Sequence, residues 1–329
     1  MAKLPLTFAA SGYDHTRDLV TGKVPVEGIE LNCLELSIEE TFFRFTKFRE
    51  WDVSEMSMGK YVALVSQNDP GITAIPVFPS RVFRQSSLYI RRGGPIKRAE
   101  DLKGKRVGVP EWAQTAAVYS RGWLMHDIGI PLAEIKWVQA GVNQPGRIEK
   151  VELKLPKGVA IDRRPDRSLN DMLLKGDIDA MLSAHAPEAF EHGNPEIVRL
   201  YPNYRAVEEA YFRATGIFPI MHVIALKKPV FEQHRWIAMN LFRAFETAKE
   251  NSVARAREIT ATRFPFAWCF EAVEQVRGLF GDDFFPYGVE PNRRTLDAFT
   301  QYAHEQGVAM RRVAVEELFP AEVLSTFKV

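Results

Sequence analysis

Apolar residues along the chain repeat with two alternating periods. Residues 4–10 and 28–36 read as strands, and the polar stretch 11–17 between them leads into a short helix. Ser37 and Glu40 stand at capping-box spacing, so an amphipathic helix is predicted from there to about residue 49. A short strand at 52–56 and a helix opened by Ser57 follow. Residues 72–78 read as a buried strand ended by Pro79, and 85–90 as another. Strand and helix alternate, as in a mostly parallel sheet covered by helices on both faces.

A second unit begins after Arg91-Arg-Gly-Gly-Pro95. A charged turn runs into a short strand within 101–109, a helix ends near 127, and 135–140 resumes the sheet. Residues 141–167, rich in Pro, Gly and charge, read as an irregular excursion containing Arg147. Ser168 and Asp171 cap a helix that Gly176 ends, and a strand at 178–183 follows. Residues 201–213 read as a helix, 216–226 as an apolar strand interrupted by His222, and the chain from 229 onward as helical. The expected fold class is therefore α/β, two lobes with a mixed, mostly parallel sheet in each. Residues 1–92 and 217–329 form one lobe, residues 93–216 the inserted one, and a ligand cleft lies between them.

Composition narrows the function. A length of 329 residues exceeds one ordinary core, and 46% hydrophobic with 26% charged residues excludes a largely disordered chain. Lys and Arg number 43 against 42 Asp and Glu, a net charge of +1, and no basic run is interleaved with aromatics, so no nucleic-acid partner is expected. Cys33 and Cys269 are far apart, which argues against a disulfide framework. Strand-like sequence starts almost at once without a signal core, and no apolar run has the length of a membrane span. A cytoplasmic location and no membrane partner are expected. Helical surfaces in the C-terminal third offer a face for a homodimer.

Candidate chemistry gathers at predicted loops. Ser80, Arg81, Arg84 and Ser86 lie between two strands; arginine forks match carboxylates and hydroxyls add hydrogen bonds, so the loop suits an anion. Gln114 and Thr115 stand where a helix starts and its free amides favour negative charge. His185 follows a strand at its carboxyl end, where ligands collect in open parallel sheets. Arg17, Ser57, Arg147 and His222 complete the set expected around the cleft. His15, His185 and His222 could approach a cation together with an acid, but close His/Glu spacing is missing, so no metal is expected.

The two-lobed arrangement resembles the type II periplasmic-binding-protein fold, whose ligand lies between closing lobes. Longer motifs carry a narrower likeness. Tyr13-Asp-His-Thr-Arg17, Val53-Ser-Glu-Met-Ser57, Ile75-Pro-Val-Phe-Pro-Ser-Arg81, Gly216-Ile-Phe-Pro-Ile-Met-His222 and Gly281-Asp-Asp-Phe-Phe-Pro-Tyr-Gly288 resemble the 4,5-dihydroxyphthalate decarboxylase family over essentially the whole chain. His15, Gln85 and His185 depart from that family's usual residues. The resemblance implies decarboxylation of a small aromatic dicarboxylate to 3,4-dihydroxybenzoate, with no organic cofactor, because a para hydroxyl lets the ring accept the proton. In that scheme Arg81 and Arg84, aided by Ser80 and Ser86, hold the retained carboxylate. His222 is the general acid, and His15 or His185 attends the phenol oxygen. The alternative is a non-catalytic solute-binding protein for an aromatic carboxylate, since fold does not fix function.

Overall fold

A computed structural model describes residues 2–67 and 71–325. Eleven strands among these residues form two sheets. They are β1 (Leu4–Ala10), β2 (Ile29–Glu35), β3 (Val53–Ser57), β4 (Ile72–Ile75), β5 (Leu88–Arg91), β6 (Arg106–Val109), β7 (Lys136–Gly141), β8 (Ile161–Ser168), β9 (Ala180–Leu182), β10 (Ile197–Arg199) and β11 (His222–Lys227). The first sheet has the order β2-β1-β3-β11-β4 and the second β10-β5-β9-β6-β7-β8. In the first, β1 pairs in parallel with β2 and β3, whereas β11 runs antiparallel between β3 and β4. The second joins parallel β9-β6-β7-β8 to antiparallel β5 and β10.

Of the helices, α2 (Ile38–Phe48), α3 (Met58–Val65) and α4 (Thr115–His126) border the space between the sheets; α1 (Asp14–Val20) precedes them in the chain, and α5 (Cys269–Phe280) and α6 (Arg293–Glu305) belong to the C-terminal third. The Ser37 hydroxyl accepts from the Glu40 amide at 3.4 Å and starts α2 as its spacing predicts. Residues 53–57 are buried throughout, as a central strand requires. No helix of the described residues is long and apolar enough to cross a membrane.

Three stretches differ from the expected elements. Residues 141–167 include β8, a charged edge strand whose side chains are mostly outside the core, so no apolar alternation marks it. Gln85–Ser87 is a 3₁₀ turn, and only Leu88–Arg91 is strand. Residues 216–221 lie outside the strand and belong to a segment that crosses between the sheets, which begins pairing at His222. This crossing and the earlier one touch through an isolated antiparallel bridge between Arg81 and Ile220.

The two halves meet tightly near α3 and α4. The Gly59 amide donates to Thr115 Oγ1 at 2.9 Å, and a Cβ on Gly59 would stand 2.5 Å from the Ala113 carbonyl oxygen, so only glycine permits this approach. Helix α6 packs on α4, where buried Arg121 donates to Gln306 Oε1 at 2.8 Å.

Candidate active site

A cavity of about 270 Å³ lies between the sheets, at the small end for a ligand site. Its wall takes Ser57 and Lys60 from the first sheet's side and Glu111, Gln114 and Thr115 from the start of α4. Glu39, Ser80, Arg84, Arg147, Lys150, His185 and His222 add to its polar lining. Ile38, Phe42 and Met221 supply apolar surface. Past Glu39, Arg147 and His185, which line both spaces, it adjoins a wider depression of about 490 Å³ formed by residues 141–147.

His222 is the first residue of β11, so it sits at the sheet end that faces the cavity, directly opposite Ser57 in the register. Its Nδ1 lies 2.6 Å from Glu55 Oε1, and the carboxylate is fully buried. The Tyr13 hydroxyl donates to the same oxygen at 2.5 Å, and the Ser11 amide donates to Oε2 at 2.9 Å. Burial pushes the Glu55 carboxyl up, but the hydrogen bond and charge of His222, with those two donors, outweigh it and hold the group below the usual carboxylate range. An ionised carboxylate only accepts, so Nδ1 carries the hydrogen and Nε2 is left for the cavity side. Burial and the neighbouring Glu55 push the Tyr13 phenol well up, which keeps it a donor. The Phe42 ring meets the imidazole edge-on at 4.8 Å.

The other wall is cationic. Buried Glu111 receives Arg147 Nε at 2.7 Å and stands 3.3 Å from Lys60 Nζ and 3.6 Å from Lys150 Nζ. Burial alone would raise this carboxyl, and the three cations together bring it below its usual range. Burial lowers Lys60, against the pull of Glu111. Arg84 donates through Nε to Met221 Sδ at 3.1 Å, and burial pushes its guanidinium down to about 10. The Ser57 and Thr115 hydroxyls bond each other at 2.9 Å across the cavity floor. The Gln114 side-chain oxygen is buried without a hydrogen-bond partner among the described residues.

Not every expected residue reaches this cavity. Ser57, Ser80, Arg84, Gln114, Thr115, Arg147, His185 and His222 line it. Arg81 does not: it is buried beside the chain crossings, where its terminal nitrogens donate to the Phe218 and Pro286 carbonyls at 2.9 and 3.1 Å. Its guanidinium lies 4.4 Å over the Phe218 ring. Ser86 faces the same phenylalanine-lined groove as Arg81, and its amide donates to Glu208. Arg17 is exposed on α1, 3.8 Å from Asp14. His15 stands behind the wall between the Tyr13 and Phe285 rings and donates from Nε2 to the Pro79 carbonyl at 2.9 Å; burial lowers it. His185 spans the cavity mouth, with Nε2 2.9 Å from Glu39 Oε1 on α2. Glu55, Lys60, Glu111 and Lys150 were not anticipated. A single charged residue inside a short strand of small and apolar residues is the signal that could have singled out Glu55. Among the described residues no group of three or more His, Cys, Asp and Glu side chains converges as a cation site.

The protein named 4,5-dihydroxyphthalate decarboxylase of Comamonas testosteroni is 35% identical over 330 residues, covering 100% of both chains. The chain belongs to the 4,5-dihydroxyphthalate decarboxylase family. A second protein of that name, from Pseudomonas putida, is 38% identical over 215 residues, which cover 65% of this chain and 83% of that one. No family model matches the chain. Among solved structures, a periplasmic sulfonate-binding protein of Methylobacillus flagellatus superposes with a TM-score of 0.59 at 14% identity, covering 98% of this chain and 93% of its own. The aliphatic sulphonate-binding protein of Escherichia coli gives 0.53 at 10% identity, covering 98% and 99%. This decarboxylase-family chain therefore has the two-lobed periplasmic-binding-protein fold.

Proposed function

We propose that this chain catalyses the non-oxidative decarboxylation of 4,5-dihydroxyphthalate to 3,4-dihydroxybenzoate and carbon dioxide, with His222 delivering the proton. Family membership supports the reaction class. The observation that carries the assignment is the buried Glu55 carboxylate on His222 Nδ1, at the wall of a cavity that also takes Lys60, Arg84, Arg147 and Lys150 into its lining. The cations bind the dianionic substrate. A hydroxyl para to one carboxylate pushes electrons toward the carbon that bears it, and His222 Nε2–H protonates that carbon. The C–C bond then breaks, its electron pair returns to the ring, and carbon dioxide leaves. The Glu55 carboxylate stabilises the imidazolium before transfer and orients Nε2 throughout. Gln114 is suited to accept from a ring hydroxyl, because its oxygen has no other partner.

The sulfonate-binding likeness gives a receptor without catalysis the same fold. In a receptor the same pair would serve only to present His222 as a donor to the bound ligand, with no proton passed to a ring carbon. The deciding experiment is incubation of purified protein with 4,5-dihydroxyphthalate in deuterated buffer. Carbon dioxide release should accompany one deuteron at the ring carbon that lost its carboxylate. Binding without release would establish the receptor.

A further inference from the structure

Two arginines line the cavity with only one edge of the guanidinium in use. Arg147 donates through Nε to Glu111, and Arg84 through Nε to Met221 Sδ. Their terminal nitrogens have no hydrogen-bond partner among the described residues, and two such nitrogens form the fork that grips a carboxylate bidentately. Two forks on one small cavity match two carboxylates on adjacent ring carbons.

The forks differ in their support. Arg147 belongs to the Glu111 cluster, where Lys60 comes from one side of the cavity and Lys150 from the other. Of the other acids close by, Glu149 is turned onto the Trp112 and Ala113 amides at 2.6 and 3.2 Å, and Glu39 is paired with His185 at 2.9 Å. Glu111 is thus the acid paired directly with all three cations, and Lys60, Arg147 and Lys150 all line the cavity. Arg84 has only a thioether sulfur. The heavily charged fork suits an anion that persists through the reaction, because strong pairing would hold back a carboxylate that must become neutral.

We propose that the Glu111 cluster, acting through the Arg147 fork, is the receptor for the carboxylate the substrate keeps, and that it makes the site select an ortho-dicarboxylate over a monocarboxylate. This rests on the decarboxylase reading. It also explains product release, since the product carries one carboxylate and engages one fork.

The test is calorimetric titration with phthalate, which has both carboxylates but no hydroxyl to drive the reaction, and with benzoate, which has one. Wild type is compared with R147Q and K150Q, both in the surface loop, with thermal midpoints recorded to verify folding. A charge-assisted bidentate contact is worth about 10- to 100-fold in affinity. Phthalate should therefore bind wild type at least about 30-fold more tightly than benzoate, and that ratio should fall below about 5-fold in R147Q and partway in K150Q. Equal binding of the two acids to wild type, or a wild-type ratio in both variants, overturns the proposal. With 4,5-dihydroxyphthalate, the R147Q defect should appear mainly in KM, as for an interaction made equally in the ground and transition states. A defect confined to kcat also overturns it. Selective phthalate binding through Arg147 without turnover would leave the receptor standing and remove the decarboxylase reading instead.

Discussion

The substitution Glu55→Gln probes the proton donor most directly. Three hydrogens converge on this carboxylate, from His222 Nδ1, the Tyr13 hydroxyl and the Ser11 amide. Glutamine offers one acceptor oxygen and turns its NH2 toward at least one of those donors. The neutral imidazole then relieves the clash by moving its hydrogen to Nε2 and accepting at Nδ1, which leaves no counter-charge for the imidazolium. A hydrogen bond to a charged group is worth about 1.5–3 kcal/mol, and general acid catalysis contributes about 10²–10⁴-fold. Together these place the loss in kcat at about 10²–10³-fold, with KM changed by less than about threefold because Glu55 does not touch the ligand. The orphaned donor costs about 1–3 kcal/mol of stability, so the assay is run well below the unfolding midpoint. Product formation is followed by absorbance and ring deuteration by NMR. A folded E55Q enzyme with kcat within threefold of wild type would refute the Glu55–His222 acid.

Other expectations follow from the same geometry. Arg81→Met strips the Phe218 carbonyl of its side-chain donor, at about 1–3 kcal/mol, while Asn292 still donates to Pro286; it should lower the thermal midpoint by about 2–5 °C while KM stays within about threefold. A KM increase beyond tenfold would return Arg81 to the ligand. Arg84→Lys keeps the charge but loses the fork, so KM should rise about 10-fold or more; steady-state kinetics decide this, and an unchanged KM refutes it. The Glu39 hydrogen bond raises His185, and the His185 hydrogen bond pushes Glu39 down to about 2. The histidine contribution is complete below its ordinary value of 6.5 and is lost as pH rises through the raised one; the glutamate contribution is complete above 4.5 and is lost as pH falls toward about 2. This latch across the mouth is therefore strongest between roughly pH 4.5 and 6.5. Both side chains are over half exposed, which limits the pair to below about 1 kcal/mol, so phthalate dissociation should quicken by up to about fivefold from pH 6 to pH 8. His185→Gln should flatten that dependence, and stopped-flow measurement would expose a slope that persists.

Much of the fold can be read from apolar content, period and caps alone, because α2 buries one face and β3 and α3 are buried almost throughout. The charged edge strand Ile161–Ser168 cannot, since its pairing is supplied by β7 rather than by its own side chains. The site is legible to a similar depth. His222 stands out as one imidazole in an apolar run. Arg81 and Arg84, three residues apart in one loop, are alike as residue types; only the geometry of the crossing turns one to carbonyls and the other to the cavity. Lys60 and Glu111 are far apart in sequence, and neither predicts the other until α3 and α4 are packed.

The order of the first sheet bears on synthesis. Strand β4 has no neighbour but β11, and β11 lies between β3 and β4 although 146 residues separate Ile75 from His222 in the chain. As the chain leaves the ribosome, residues 4–75 can form only the β2-β1-β3 portion, with an open edge waiting on β3. The later segment that fills this edge carries His222 as its first residue. A nascent or truncated chain therefore carries Lys60, Arg84, Glu111 and Arg147 before His222, and the Glu55–His222 contact forms only with completion of the sheet.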